Sequence, residues 1–169
     1  MDAMQAILSR RSIRKYTPEK VDDHLLEELL EAAMSAPSAG NEQPWHFIVM
    51  TDRAMLDEFP KFHPYSGPVK GASAAIVVCG DLLLEKYKDC WVQDCSAAIQ
   101  NILLAAAAKG LGAVWLGLFP DPLRVESAQK LLSLPQHIIP LALVPIGYPA
   151  ERKDLASRFN PSRIHYHHW

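Results

Sequence analysis

The chain has few of the groups that carry chemistry by themselves. It holds three cysteines, Cys79, Cys90 and Cys95. Their number is odd and no CxxC occurs, so neither a disulfide framework nor a zinc cage is indicated. Cys90 and Cys95 fall in one predicted helix at an i,i+5 spacing, awkward for a shared ligand, and read as small core residues. Charge of one sign is lacking too. The formal net charge is -2, so no global field draws the chain to nucleic acid or membrane. No apolar run is long enough for a membrane span once charges are counted. The opening "MDAMQAILSRRSIRKY" lacks a secretory h-region and cleavage site, so a reducing, cytoplasmic setting is expected. No Ser-His-Asp pattern or nucleophile elbow occurs, and no carboxylate pair stands out. The glycines of "GLGAVWLG" (110–117) follow a helix and precede a strand, the reverse of a dinucleotide fingerprint. The histidines of "IHYHHW" (164–169) have no carboxylate or cysteine at helpful spacing, so the segment reads as an aromatic tail packed on a partner and no metal is expected. Together these absences point to borrowed chemistry, in which a cofactor reacts and the protein supplies clamps and a pocket.

What is present suffices for one domain, residues 1–169, with a full core. "DAMQAILSR" reads as a short helix ending at the arginines. A second helix, capped by Asp22 or Asp23, presents Leu25, Leu26, Leu29, Leu30 and Ala33 on one face and stops at Pro37. Residues 46–51 read as a strand and 53–59 as a short helix. The Pro/Gly-rich 60–73 reads as an ordered loop of the kind that can serve as a lid. "AAIVVCGD" (74–81) is a strand buried on both faces. The longest helix is expected over 87–112, apolar nearly all round from Ala97 to Ala108 and stopped at Gly110. Strands at 113–119 and 138–151 flank a helix that opens on Asp121-Pro122. Alternating helices and few strands give an α+β or α/β layered class.

Two constellations invite a ligand. Arg10, Arg11, Ser12, Arg14 and Lys15 lie together, and arginine forks with a serine hydroxyl match phosphate oxygens; a solvated basic helix end would look the same. In "PSAGNEQPW" (37–45), small residues let a flat ligand reach the backbone, and Asn41 and Gln43 offer amides to ring heteroatoms; an ordinary turn into a strand would also look so. Gly117, after Trp115 and Leu116, allows close backbone approach at a strand end.

In order along nearly the whole chain, "RRSIRKY", "APSAGNEQPWHFIV", "DCSAAIQNILLAAAAKGLGAVWLG" and "SRIHYHHW" resemble motifs of the nitroreductase family of FMN-dependent oxidoreductases, particularly its short members. The resemblance implies an α+β, three-layer fold, with a central mostly antiparallel sheet flanked by helices. It also implies an intertwined homodimer with FMN at the subunit interface. Arg10 and Ser12 would hold the FMN phosphate and ribityl, with Arg11 in the same basic set and Arg163 joining from the tail. Arg14, the catalytic candidate, would lie near the pyrimidine edge and stabilise the anionic reduced flavin. Pro37, Ser38, Ala39 and Asn41, with Gln43, would border the ring from the other subunit. The backbone around Trp115, Leu116 and Gly117 would face N5. The implied activity is ping-pong reduction of nitroaromatics, quinones or related acceptors by NAD(P)H. The alternatives are a specialised flavin reductase or dehydrogenase of the same fold, or a flavin-binding protein without turnover. The asparagine with which larger members contact the ring has no match in "KFHPYSGPVKGAS", and the region between core helix and tail is short.

Overall fold

A computed structural model describes residues 1–169. Helix α1 (Ala3–Ser9) starts from a capping box, in which the Asp2 side chain accepts from the Gln5 N–H and the Gln5 side chain accepts from the Asp2 N–H. Helix α2 (Asp23–Met34) starts from Asp22, whose carboxylate accepts the His24 N–H, and it buries Leu26, Leu29 and Ala33. The ten-residue approach to strand β1 (Trp45–Met50) contains a short 3₁₀ turn, Ala39–Asn41. Helix α3 is one turn (Arg53–Leu56). Strand β2 (Ala74–Asp81) is buried along its whole length. Helix α4 (Trp91–Ala108) leads to two short strands, β3 (Gly112–Ala113) and β4 (Leu116–Gly117). Helix α5 (Pro122–Leu131) precedes the long strand β5 (Ile138–Gly147).

The sheet runs β1-β2-β5-β3, with β4 also on β5, and every strand pair is antiparallel. Successive side chains of a strand face opposite sides. Ala74, Ile76 and Val78 therefore enter one core with α2 and α4, while Ala75, Val77 and Cys79 enter the other with Leu56, Phe59, Val69 and Ala128. The result is helix, sheet, then helix and turns: three layers. A bulge falls between Val78 and Cys79, where β5 brings Pro140, which has no N–H for the ladder. The bypassed Leu141 gives its carbonyl to the N–H groups of Leu118 and Phe119, and so draws the chain after β4 into the sheet.

Several boundaries differ from the sequence reading. Helix α4 begins at Trp91, not at residue 87, because residues 87–90 form a turn whose backbone N–H groups are claimed by Glu42 and by Tyr87 itself. Cys90 is accordingly the helix N-cap and shares no helix face with Cys95. The strand expected at 113–119 is broken at Val114–Trp115 into β3 and β4. The helix expected over 53–59 stops at Leu56, and the 60–73 loop is built from 3₁₀ turns that bury His63, Ser66 and Val69. Burial pushes the Cys79 thiol up to about 12 and raises that of Cys95 as well, so both are core groups and not nucleophiles.

Candidate functional site

The basic motif lies on a sheet edge. After α1 the chain is extended: Ser12 makes a parallel bridge to Ala113, and the Ile13 N–H donates to the Ala113 carbonyl at 3.0 Å. Ile13 packs onto Gly112, where a Cβ would stand 2.6 Å from Ile13 Cγ2. By the strand alternation, Ser12 and Arg14 project to the other side. Both are anchored through their backbone. The Arg14 N–H donates to Glu151 Oε1 at 2.5 Å, and the Ser12 carbonyl accepts from Lys153 Nζ at 2.7 Å. Their side chains, and the guanidinium of Arg10, make no hydrogen bond or ion pair within the chain. Arg11 differs: its Nε donates to the Asp154 carbonyl at 2.8 Å and its Nη1 to the carbonyls of Leu8 and Arg10. It ties the motif to the tail.

Arg10 has its pKa lowered by burial first, then by the charges of Arg158 and Arg11. Arg158 and Phe159 of the tail line a groove of about 460 Å³ with Arg10 and Arg11. Sequence reading missed Arg158, because nothing in "LASRFN" marks which tail residue folds back. Arg163 ends the short 3₁₀ turn Pro161–Arg163 and is exposed, with no side-chain bond in the chain.

Trp115, Leu116 and Gly117 belong to the same half, only two to four residues past the Ala113 that pairs with Ser12. Trp115 is exposed and Leu116 buried. A Cβ at Gly117 would meet no clash, only the Phe119 carbonyl oxygen at an ordinary contact distance of 3.8 Å. Its carbonyl is gripped from inside by His63 Nε2 at 2.9 Å and Arg124 Nη1 at 3.3 Å. The other nitrogen of His63 accepts the Tyr65 N–H at 3.2 Å, which fixes a neutral imidazole that donates from Nε2. Sequence reading took His63 as part of a loop; its partner is 54 positions away.

The small-residue loop lies elsewhere. Gly40, Asn41 and Gln43 all have left-handed backbones, φ 51°, 54° and 47°. Only glycine adopts this freely; Asn is tolerant and Gln is not. A Cβ on Gly40 would come within 2.4 Å of the Tyr87 ring. The Ala39 N–H donates to Asp94 Oδ1 at 3.0 Å, the Gln43 N–H to Ser38 Oγ at 3.0 Å, and Gln43 Nε2 to Asn41 Oδ1 at 2.9 Å. Asn41, Gln43 and Pro37 face solvent. The loop sits at the N-terminal end of α4 beside edge strand β1, whereas Ser12 sits past the C-terminal end of α4 on the opposite edge. An 18-residue helix spans about 27 Å. No hydrogen bond or ion pair joins residues 10–14 to residues 37–43. One chain thus places the two stretches at different edges of its sheet, with no bond between them.

One constellation was invisible in the sequence, which offered no carboxylate pair. Glu42 and Asp94 are both buried, at 7% and 5% exposure, and lie close enough for each to shift the other's pKa.

The same three-layer architecture occurs in solved oxidoreductase structures. A Parabacteroides distasonis structure, described as a candidate NADH dehydrogenase/NAD(P)H nitroreductase, superposes with a TM-score of 0.95 at 42% identity, over 99% of this chain and 98% of that one. A candidate nitroreductase from Desulfovibrio desulfuricans, solved in complex with FMN, gives 0.87 at 34% identity over 100% of this chain and 98% of that one. The sequence pattern of the Nitroreductase family matches residues 7–74 and 84–148. A Methanothermobacter thermautotrophicus protein, named as a candidate NADH dehydrogenase/NAD(P)H nitroreductase, is 52% identical over 169 residues, covering 100% of this chain and 88% of its own. The chain belongs to the nitroreductase family.

Proposed function

We propose that the chain is an FMN-dependent NAD(P)H oxidoreductase whose site is completed by a second copy of itself. The observation that carries this reading is the unspent donor set. Ser12 and Arg14 sit on one sheet edge with their backbones fixed, and their side chains, like that of Arg10 at the end of α1, are unbonded. Such a set suits a phosphate, a polyol and the edge of a flat ring. When bound, FMN supplies two-electron hydride chemistry. Arg10, with Arg158 and Arg163 of the tail, balances the phosphate. Ser12 offers its hydroxyl to the ribityl chain. Arg14 holds a positive charge where negative charge develops at the pyrimidine edge. The absence of a side chain at Gly117 lets the ring approach the backbone, and His63 and Arg124 keep that peptide in place.

Pro37, Ser38, Ala39 and Asn41 border the ring from the second copy. The geometry that supports this is the separation of the two half-sites in one chain. The tail supports it as well: Leu155, Phe159, Tyr166 and Trp169 are at least three-quarters exposed, more apolar surface than a monomer ordinarily leaves in water. NAD(P)H and an acceptor such as a nitroaromatic or quinone use one pocket in turn, a ping-pong order. The protein works in the cytoplasm on this reading; no helix is long and apolar enough to cross a membrane.

The test is direct. The purified protein is yellow, or becomes yellow with added FMN, and the flavin released on denaturation has the mass of FMN at about one per chain. A protein that stays colourless after incubation with FMN overturns the reading.

A further inference from the structure

The buried acids Glu42 and Asp94 are spent on backbone groups with one oxygen each. Glu42 Oε2 accepts the N–H groups of Lys86 at 2.6 Å and Tyr87 at 3.1 Å, and Asp94 Oδ1 accepts that of Ala39 at 3.0 Å. Their other oxygens, Glu42 Oε1 and Asp94 Oδ2, are buried without any donor in reach. Two ionised carboxylates cannot share such a place, because each disfavours the charge of the other. One proton between them resolves the conflict and turns two orphan acceptors into a hydrogen bond.

We propose that Glu42 and Asp94 hold one proton in common, and that this proton latches the loop Ala39–Asn41 to helix α4 in the shape that receives the flat ring of the ligand. The inference rests on the reading of this loop as the ring edge. The latch has work to do: Gly40, Asn41 and Gln43 are held in left-handed conformations, which persist only where the surroundings over-determine them. Two of the surrounding restraints run through the pair, Ala39 to Asp94 and the 86–87 turn to Glu42. Neither carboxylate touches the ligand, so both are positioning residues.

The latch depends on pH. The charged groups facing the pair are Lys86, which favours the charge on Glu42, and Glu85, which disfavours the charge on Asp94; the Cys90 thiol beside them stays neutral, its pKa raised by burial and then by both carboxylates. Asp94 has its pKa raised by burial first and then, against its hydrogen bond from Ala39, by Glu42; the pair keeps the proton that a solvated carboxylate would have lost. A group whose pKa is raised in the latched state holds that state fully below its ordinary pKa. The hold weakens as pH rises from the ordinary carboxylate range, about 4, through the raised value.

The experiment compares the parent with Asp94→Asn and Glu42→Gln, full chains, at about pH 5.5 and about pH 8.5. An amide replaces the shared proton with a fixed N–H donor and keeps the oxygen that serves the backbone. Two readouts are taken: hydrogen exchange of the 38–43 segment in flavin-free protein, corrected for intrinsic rates, and the Kd of FMN. In the parent, protection of the segment falls and the Kd rises by about tenfold or more between the two pH values, and in either amide variant both change less than about threefold. The ionisation of the FMN phosphate is common to all three proteins and cancels in the comparison. Equal pH dependence of segment protection in the parent and in both variants overturns the latch, whether or not FMN binds. FMN that binds at neither pH, with the exchange pattern as stated, leaves the latch standing and overturns the flavin reading instead.

Discussion

At the scale of single residues, the backbone of the proposed site is held by buried side chains. His63 is the clearest case. Its imidazole sits between the Gly117 carbonyl and the Tyr65 N–H, with Arg124 and Asp121 nearby. Burial is the largest cause of its lowered pKa, ahead of the raising effect of its bond to Gly117. Protonation at Nδ1 would cancel the Tyr65 bond and set a second charge beside Arg124. A histidine with a lowered folded pKa adds stability above its ordinary value, about 6.5, and that stability drains away as pH falls through the folded value. The melting temperature of the parent therefore falls between about pH 7.5 and about pH 5.5 by several degrees more than that of His63→Gln, whose amide can donate to Gly117 without titrating. Thermal scans at the two pH values check this; parallel slopes would place the acid sensitivity elsewhere. Neither His63 nor the Glu42–Asp94 pair could be read from the sequence as a site, because each acts through a partner brought near only by the sheet. Arg10, Ser12 and Arg14 could be read, because a local basic cluster is visible without a fold. Arg11, visible in the same cluster, is spent on three backbone carbonyls.

At the scale of elements, edge strand β3 decides where the basic motif sits. Ser12 and Ile13 fasten the motif to Ala113 of β3, and they fit because Gly112 has no side chain. A methyl group there meets Ile13 at its Cβ and Cγ2, at 2.8 Å and 2.6 Å, in a buried place. Gly112→Ala should push the 11–14 segment outward and cost about 1–3 kcal/mol. With the motif displaced, the Kd of FMN rises by about tenfold or more while far-ultraviolet circular dichroism is kept. Unchanged FMN affinity in a folded Gly112→Ala protein would show that the motif does not need this edge. Elements with strong local signals were legible: the apolar run of β2 was placed at 74–81, and Asp22 and Asp121 cap the helices they were expected to cap. The breaks were not. The split between β3 and β4 and the late start of α4 come from long-range bonds, such as those of Leu141 and Glu42, that leave no periodic trace.

At the scale of the molecule, the account rests on division. One chain places Ser12 and Arg14 at the β3 edge of its sheet and Pro37 to Asn41 ahead of the opposite edge strand, β1. The tail leaves Leu155, Phe159, Tyr166 and Trp169 exposed, apolar surface that the proposed second copy would cover. The α+β, three-layer fold was legible from the order of elements and the resemblance of four motifs. The separation of the half-sites could be expected only from that resemblance, since distance between segments has no signature in sequence. The most direct test of the whole is a mixed dimer. One chain carries Arg10→Ala and Arg14→Ala, and the other carries Ser38→Trp to block the ring edge. Each variant alone should retain little FMN and little NAD(P)H oxidation. In the verified mixed dimer, one site collects both defects and the other collects intact arginines from one chain and an intact loop from its partner. That dimer should bind about one FMN per two chains and recover about half of the parent's turnover, if the sites act independently. A verified mixed dimer that recovers neither flavin nor turnover would contradict the account, because the loop would then serve its own chain or no site at all.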